Sequence, residues 1–153
     1  MTEAERQAVT QALELQGDTM LSAIGAFGSA EQLHQFALNY NPNDGLLPCL
    51  AIAQHDACDA GTALYLYWQF SDLLFDPERR ASSAHEAPEW NPAAVLDLIE
   101  KRFPSGFASS NIYFDPQEGW PLNVVQRRDL AQSGVRPEML EPIGSLRLEQ
   151  EWL

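Results

Sequence analysis

The sequence lacks an apolar run long enough to cross a membrane, which takes about 18 residues or more. Its first 20 residues are acidic and do not place a basic stretch before an apolar one, as a secretory signal does. These two absences predict a protein without a membrane span or an export signal. We therefore expect a cytoplasmic protein that does not bind membranes.

Cysteine is scarce, since the 153 residues contain only Cys49 and Cys58. A chain with this much apolar sequence and no export signal fits a reducing compartment, so both thiols are predicted to be free. With His55 they would offer three zinc ligands, but the close cysteine pair of zinc ribbons and fingers is missing, and no metal site is predicted. A nucleophilic Cys58 with His55 or His34 as its base stays open as an alternative.

Several motifs of reactive sites are also missing. The chain has no Gly-rich phosphate loop after a strand, no serine nucleophile elbow and no His-Glu-x-x-His zinc motif. The acid pairs Asp56/Asp59 and Asp72/Asp76 are predicted in turns, at a helix cap or on an outer helix face. General acid–base chemistry instead needs a carboxyl group in an apolar pocket. We therefore predict no catalytic residue and no cofactor.

Basic residues are rare in the first half of the chain. Residues 1–78 contain eleven acids and one base, Arg6, while residues 79–153 contain eleven acids and eight bases, for a total formal charge of −13. Such a field repels nucleic acid and anionic lipid and attracts a basic protein, although solubility alone would also explain it. The predicted partner-binding residues are the acids Asp44, Asp56, Asp72, Asp76 and Glu78.

The fold class follows from composition and apolar periodicity. A hydrophobic content of 45% in 153 residues supports one core, so we predict a single, mainly α-helical domain over residues 1–153, with about six or seven helices. Asp59–Phe75 carries the main apolar stripe and is predicted as the central helix, capped by Asp59. Residues 77–90 have no apolar period and are predicted as a long irregular loop.

Short-range signals predict where several helices begin. Thr2 with Glu5, and Ser29 with Gln32, form capping-box patterns, and Asn91–Pro92 combines a cap with a first-turn proline.

Two further segments have weaker signals. The run around Ile112 is rich in strand formers, and at most one short strand pair is expected there. The Trp152–Leu153 end can either pack or fray.

The segment between residues 39 and 64 has a recognisable order: Asn39-Tyr40-Asn41, Asp44-Gly45, Pro48 and Cys58-Asp59-x-Gly61-Thr62-Ala63-Leu64, followed by an aromatic-rich stretch. In this order the chain resembles the bacterial family catalogued as domain of unknown function 4274, although Pro42 stands where that family usually has an aromatic residue. The resemblance implies a small, mostly helical bacterial protein without an established catalytic role. Some members look like neighbours or antagonists of secreted toxins. We expect Gly61 to allow close packing of its helix against the Asn41–Gly45 turn.

These observations favour a protein-binding antagonist of the immunity type, which neutralises a basic bacterial toxin through an acidic surface. Two alternatives stay open. A small hydrolase or transferase would use Asp44, His55 and Cys58, and it requires a deep pocket lined by the last two. An adaptor or chaperone for a secreted effector would share the acidity but should have a larger apolar groove.

Overall fold

The computed structural model describes residues 1–151 and residue 153; Trp152, whose packing the sequence left open, lies outside the described residues. The described residues form ten α-helices: α1 (Glu3–Leu13), α2 (Gly17–Gly25), α3 (Ala30–Asn39), α4 (Leu47–Gln54), α5 (Ala60–Gln69), α6 (Ser71–Leu74), α7 (Pro77–Ser83), α8 (Pro92–Arg102), α9 (Pro116–Gly119) and α10 (Val124–Gln132). Three 3-10 turns cover Pro42–Asp44, Pro88–Trp90 and Pro137–Leu140. None of these helices combines the length and apolar composition that crossing a bilayer requires.

The mainly α-helical class is confirmed, but the helix count is higher than the predicted six or seven. The difference comes from short helices. Two of them, α6 and α9, have four residues each, which is too short for an apolar period to appear in the sequence.

The predicted helix starts are confirmed where capping is local. Both capping boxes form, with the side chains of Thr2 and Ser29 each accepting from the backbone N–H three residues later. Asn91 Oδ1 accepts a hydrogen bond from the N–H of Ala94 at 3.1 Å and begins α8. These caps depend on residues three positions apart, so the sequence alone reveals them.

Helix α5 is the centre of the core, as predicted. It lies against α3, α4, α8 and α9, and the side chains of Tyr67 and Trp68 are fully buried. The prediction of one helix from Asp59 to Phe75 is wrong at its far end. Phe70 leaves the helical conformation, with φ −107° and ψ 31°, and its N–H bonds to the carbonyl three residues back. Phe75, predicted on the buried stripe, is 41% exposed.

Residues 77–90 were predicted as an irregular loop, and this is wrong for half of them. Asp76 caps α7 by accepting from the N–H of Arg79 at 3.0 Å, and Pro77 takes the first helical position. No described residue of α7 is buried. The helix therefore has no apolar stripe, which is why periodicity did not detect it.

The segment around Ile112 pairs without forming a sheet among the described residues. Ile112 bridges Leu146 in parallel, and Phe114 bridges Ile143 in antiparallel, each as an isolated pair. The predicted limit of one short strand pair at this place agrees with the structure. These bridges place residues 143–146 beside residues 112–114, which follow α8 in the chain.

Candidate functional site

The turn between α3 and α4 is a structured surface feature. The hydroxyl of Tyr40 donates a hydrogen bond to the carbonyl of Gly45 at 2.8 Å. Burial, together with the nearby Cys49 and Asp44, raises the pKa of Tyr40 to about 12, so the phenol stays a neutral donor. Gly45 has φ 126°, a conformation that favours glycine. The next N–H, of Leu46, donates to the carbonyl of Glu89 at 2.8 Å. This bond ties the turn to the Pro88–Trp90 segment.

A cleft of about 880 Å³, here called cleft 1, opens on one side of this turn. Its walls come from the α1–α2 junction, the turn, the start of α4 and the Pro88–Trp90 segment, and they include Leu13, Met20, Asp44, Glu89 and Trp90. Cleft 1 therefore combines apolar side chains with two carboxylates.

A second cleft of about 760 Å³, here called cleft 2, opens on the other side. Asp72, Glu86 and Arg79 line it, together with amide and hydroxyl side chains from the turn, α5 and α7. Asn41, Asn43 and Trp90 line both clefts and so form a ridge between them. Trp90 is 52% exposed on this ridge. A large aromatic side chain is thus shared by two clefts, each of which is lined by two acids.

Two of the five acids predicted to bind a partner lie in these clefts: Asp44 in cleft 1 and Asp72 in cleft 2. Glu78 is exposed in the first turn of α7, and Asp76 is exposed but caps that helix. Asp56 follows the far end of α4, whose eight residues span roughly 12 Å at 1.5 Å per residue. The structure therefore separates Asp56 from Asp44.

Three residues of this surface were not predicted from the sequence: Glu86, Glu89 and Trp90. All three lie in the segment predicted as irregular, where no periodic pattern placed them. The available signal was a tryptophan in an acidic, proline-containing connector, since a large aromatic residue in such a place has no helix stripe to pack in.

The buried carboxylate of Asp59 serves the fold. It accepts hydrogen bonds from the N–H of Gly61 at 2.7 Å, which caps α5, and from Ser109, Asn111 and Ile112 at 2.5, 2.7 and 3.2 Å. The oxygens of a fully buried carboxylate need such donors as hydrogen-bond partners. Asp59 thus fastens residues 109–112 to the start of the central helix.

Gly61 packs on a different partner from the one predicted. A Cβ at Gly61 would collide with the backbone carbonyl of Ile112, so the close approach is to the 109–112 segment and not to the Asn41–Gly45 turn. The sequence indicated the need for glycine but not the partner, because Ile112 lies 51 positions further along the chain.

Both thiols are free, as predicted, and both are buried. Burial raises the pKa of Cys49 and of Cys58 to about 12, so neither is a thiolate near neutral pH. His55 accepts the N–H of Ala57 on Nδ1 at 3.0 Å. Neither His55 nor Cys58 is among the described residues that line the two clefts, so Asp44, His55 and Cys58 do not come together in cleft 1 or cleft 2. The described residues also contain no group of three or more His, Cys, Asp or Glu that could hold a metal ion.

His34, the other base considered for Cys58, is buried beside Thr62, with Nδ1 3.0 Å from the hydroxyl oxygen. Burial lowers the pKa of His34 to about 4, and the charge of Asp59 only partly opposes this. The ring is therefore neutral at pH 7 and acts as a packed polar core residue.

Helix α7, which forms one wall of cleft 2, is tied to α8 by Arg80. The guanidinium contacts Asp97 at 2.6 Å and Glu100 at 2.8 Å, and Tyr67 donates its hydroxyl to Glu100 at 2.7 Å. Burial opposes the ionisation of Glu100, but the hydrogen bonds from Arg80 and Tyr67 outweigh it and hold the pKa of this carboxyl below its usual value. The wall of cleft 2 is thus positioned by an ion-pair network.

One family of known proteins is similar to this chain. The family model described as Domain of unknown function (DUF4274) matches residues 28–104. No curated protein and no solved structure matches the chain. All the residues that line cleft 2, and the ridge residues Asn41, Asn43 and Trp90, fall inside the matched region.

Proposed function

We propose that this chain, which belongs to the DUF4274 family, is a protein-binding antagonist of the immunity type that neutralises a basic bacterial toxin through an acidic surface. The observation that carries the proposal is the exposed Trp90, with Asp44 and Glu89 in the cleft on one side and Asp72 and Glu86 in the cleft on the other. The sequence concentrates negative charge in the first half of the chain. The surface proposed here is smaller than that half, because it consists only of the ridge and the acids of the two clefts.

Charge would act first in such an encounter. A formal charge of −13 attracts a cationic protein over distances of about 10 Å at moderate salt and raises its association rate. Acids in the clefts would then meet lysine and arginine side chains of the partner. This route makes association sensitive to ionic strength, whereas a hydrophobic interface alone would be much less so.

Trp90 would then provide the anchor. Tryptophan is among the side chains that most often dominate binding energy, particularly when it is surrounded by groups that exclude water. Its neighbours Asn41 and Asn43 offer amide groups for hydrogen bonds along the same ridge. Truncating Trp90 should therefore shorten the lifetime of a complex, while changing an acid should mainly slow its formation.

The apolar wall of cleft 1 favours a second candidate, an adaptor or chaperone for a secreted effector. Leu13, Met20 and Leu47 belong to that wall. An adaptor would bind an effector without blocking its activity, whereas an antagonist would abolish it. Measuring the partner's activity in the complex separates the two.

The test is to co-express the chain with the product of each reading frame beside its gene and to follow cell growth. We expect one adjacent product to be basic and toxic, and the chain to restore growth and to co-elute with that product in gel filtration. If no adjacent product is both toxic and neutralised, the proposal fails.

Two matched pairs of variants locate the surface. Asp72→Lys should lower the affinity of the complex and make that affinity less sensitive to salt. Asp56→Lys makes the same change of charge at the far end of α4 and should have a smaller effect.

Trp90→Ala should raise the dissociation rate about tenfold or more, as loss of an interface anchor does. Val124→Ala removes apolar surface from a residue 83% exposed outside both clefts and should leave the rate unchanged. Equal effects within each pair would contradict the proposed surface.

A further inference from the structure

Cleft 1 has the size and the lining of a site for a small molecule. Its volume of about 880 Å³ lies within the range of about 300 to 1,000 Å³ that is usual for ligand pockets. An apolar wall comes from the α1–α2 junction and the start of α4, and it includes Leu13, Met20 and Leu47. Trp90, half-exposed, adds an aromatic side chain. A ligand with an apolar part can therefore bury that part in cleft 1.

The charged side chains of cleft 1 are all of one sign. Asp44 and Glu89 are exposed acids, and no lysine, arginine or histidine is among the described residues that line the cleft. Neither acid belongs to an ion pair of the described residues. A cation that enters cleft 1 therefore meets two negative charges without displacing an internal partner.

Hydrogen bonds hold together the two segments that carry these acids. The N–H of Leu46 donates to the carbonyl of Glu89 at 2.8 Å. On the same turn, the hydroxyl of Tyr40 donates to the carbonyl of Gly45, the residue after Asp44, at 2.8 Å. The main chain beside both acids is thus fixed before a ligand arrives. A preformed site loses less free energy to the ordering of its own groups when it binds.

We propose that cleft 1 is a binding site for a small organic cation, an ammonium group carried on an apolar chain. The apolar wall covers the chain, and the carboxylates of Asp44 and Glu89 attract the ammonium group. The ring face of Trp90 attracts a cation as well. A metal ion fits cleft 1 less well, because hard cations take six or more oxygen ligands and the apolar wall offers none. The proposal concerns a small molecule and does not rest on the proposed function.

The probe is hexylamine, which like the lysine side chain is protonated at pH 7. It is titrated into the full chain, and binding is followed by the amide signals in the nuclear magnetic resonance spectrum. We expect a dissociation constant of about 1 mM or below, which is ordinary for a ligand of this size. The signals that shift should belong to the α1–α2 junction and to residues 44–47 and 89–90, which border cleft 1.

Two further ligands separate the contributions of charge and chain. 1-Hexanol has the chain of hexylamine without its charge, and methylamine has the charge without the long chain. Each should bind at least about tenfold more weakly than hexylamine, because each loses one of the two interactions.

Variants of the acids and of Trp90 place the ligand in cleft 1. Asp44→Asn removes one negative charge from the cleft and should weaken hexylamine binding about threefold or more. Asp56→Asn makes the same change at an exposed position outside the cleft and should have a much smaller effect. Trp90→Ala should also weaken binding, whereas Trp90→Phe keeps an aromatic ring and should retain most of the affinity. Circular dichroism establishes that the variants are folded.

Several results would overturn the proposal. Failure of millimolar hexylamine to shift the signals of cleft 1 is one, and equal binding of 1-hexanol is another. Equal affinity of the Asp44→Asn and Asp56→Asn chains is a third. Nα-acetyl-lysinamide carries an ammonium group as a protein side chain does, and it should bind more weakly than hexylamine because its chain ends in polar peptide groups. Tighter binding of this probe would assign cleft 1 to a lysine of a partner protein and overturn a small molecule as its ligand.

Discussion

The hydroxyl of Ser109 donates to the buried carboxylate of Asp59 at 2.5 Å, across 50 positions of sequence. The same carboxylate caps the central helix α5. One side chain therefore begins the helix and also holds the segment that covers it. Both tasks depend on the acceptor capacity of two carboxylate oxygens.

Replacing Asp59 by Asn should destabilise the protein. The amide group of Asn would place donor hydrogens against the donors of Ser109, Asn111 or Gly61, and unpaired buried donors cost free energy. We expect the free energy of unfolding to fall by roughly 3 kcal/mol, measured by urea denaturation. Asp56→Asn, an exposed change three residues earlier, is the control and should alter it by less than about 0.5 kcal/mol. Similar values for the two variants would refute the role of Asp59.

Gly61→Ala should also destabilise, because the added methyl group meets the carbonyl of Ile112, a backbone group that cannot rotate away. The expected loss is about 2 kcal/mol in thermal or urea denaturation. At Gly25, the last residue of α2, an added Cβ would meet nothing within 4 Å, so Gly25→Ala should be neutral or slightly stabilising. A neutral Gly61→Ala would show that the 109–112 segment does not press on α5.

His34 should make stability depend on pH. Its pKa is about 4 in the folded protein and 6.5 when exposed, so the unfolded chain binds more protons between these values. Stability contributed by the neutral ring is full above pH 6.5 and is lost as the pH falls towards 4. The loss is roughly 3 kcal/mol for a shift of this size.

Urea denaturation at several pH values checks the role of His34. His34→Gln should flatten the stability profile between pH 4 and 6.5, since glutamine does not titrate. His85→Gln, at an exposed position, should leave the profile as it is in the unchanged protein. An unchanged slope in His34→Gln would contradict the assignment.

Arg80 should control the mobility of α7. Because no described residue of α7 is buried, its ion pairs with Asp97 and Glu100 are the main polar link to α8. Arg80→Met should speed amide hydrogen exchange over residues 77–83 while the free energy of global unfolding changes little. Arg79→Met, the neighbouring exposed arginine, serves as the control. If exchange in α7 is equal in the two variants, Arg80 does not hold the helix.

Helices that combine a local cap or an apolar stripe with burial were predicted from the sequence. Thr2, Ser29 and Asn91 cap helices through bonds to the N–H three residues later, and the apolar stripe of α5 is visible in ten residues. Helix α7 was missed although Asp76 and Pro77 supply the same kind of local start signal, because none of its residues is buried and it therefore carries no apolar stripe. Of the five acids predicted to bind a partner, Asp44 and Asp72 lie in the two clefts, and Trp90, which lines both, was not predicted from the sequence.

By itself, the sequence determined the helical class, the capped helix starts, the strongly acidic character and the position of the central helix, because these depend on neighbouring residues or on composition. Only the tertiary structure decided which distant groups meet: Asp59 with Ser109, Gln35 with residues 149–151, and Leu46 with Glu89. Such contacts depend on how the helices pack in three dimensions, and a one-dimensional pattern does not record the distances between them.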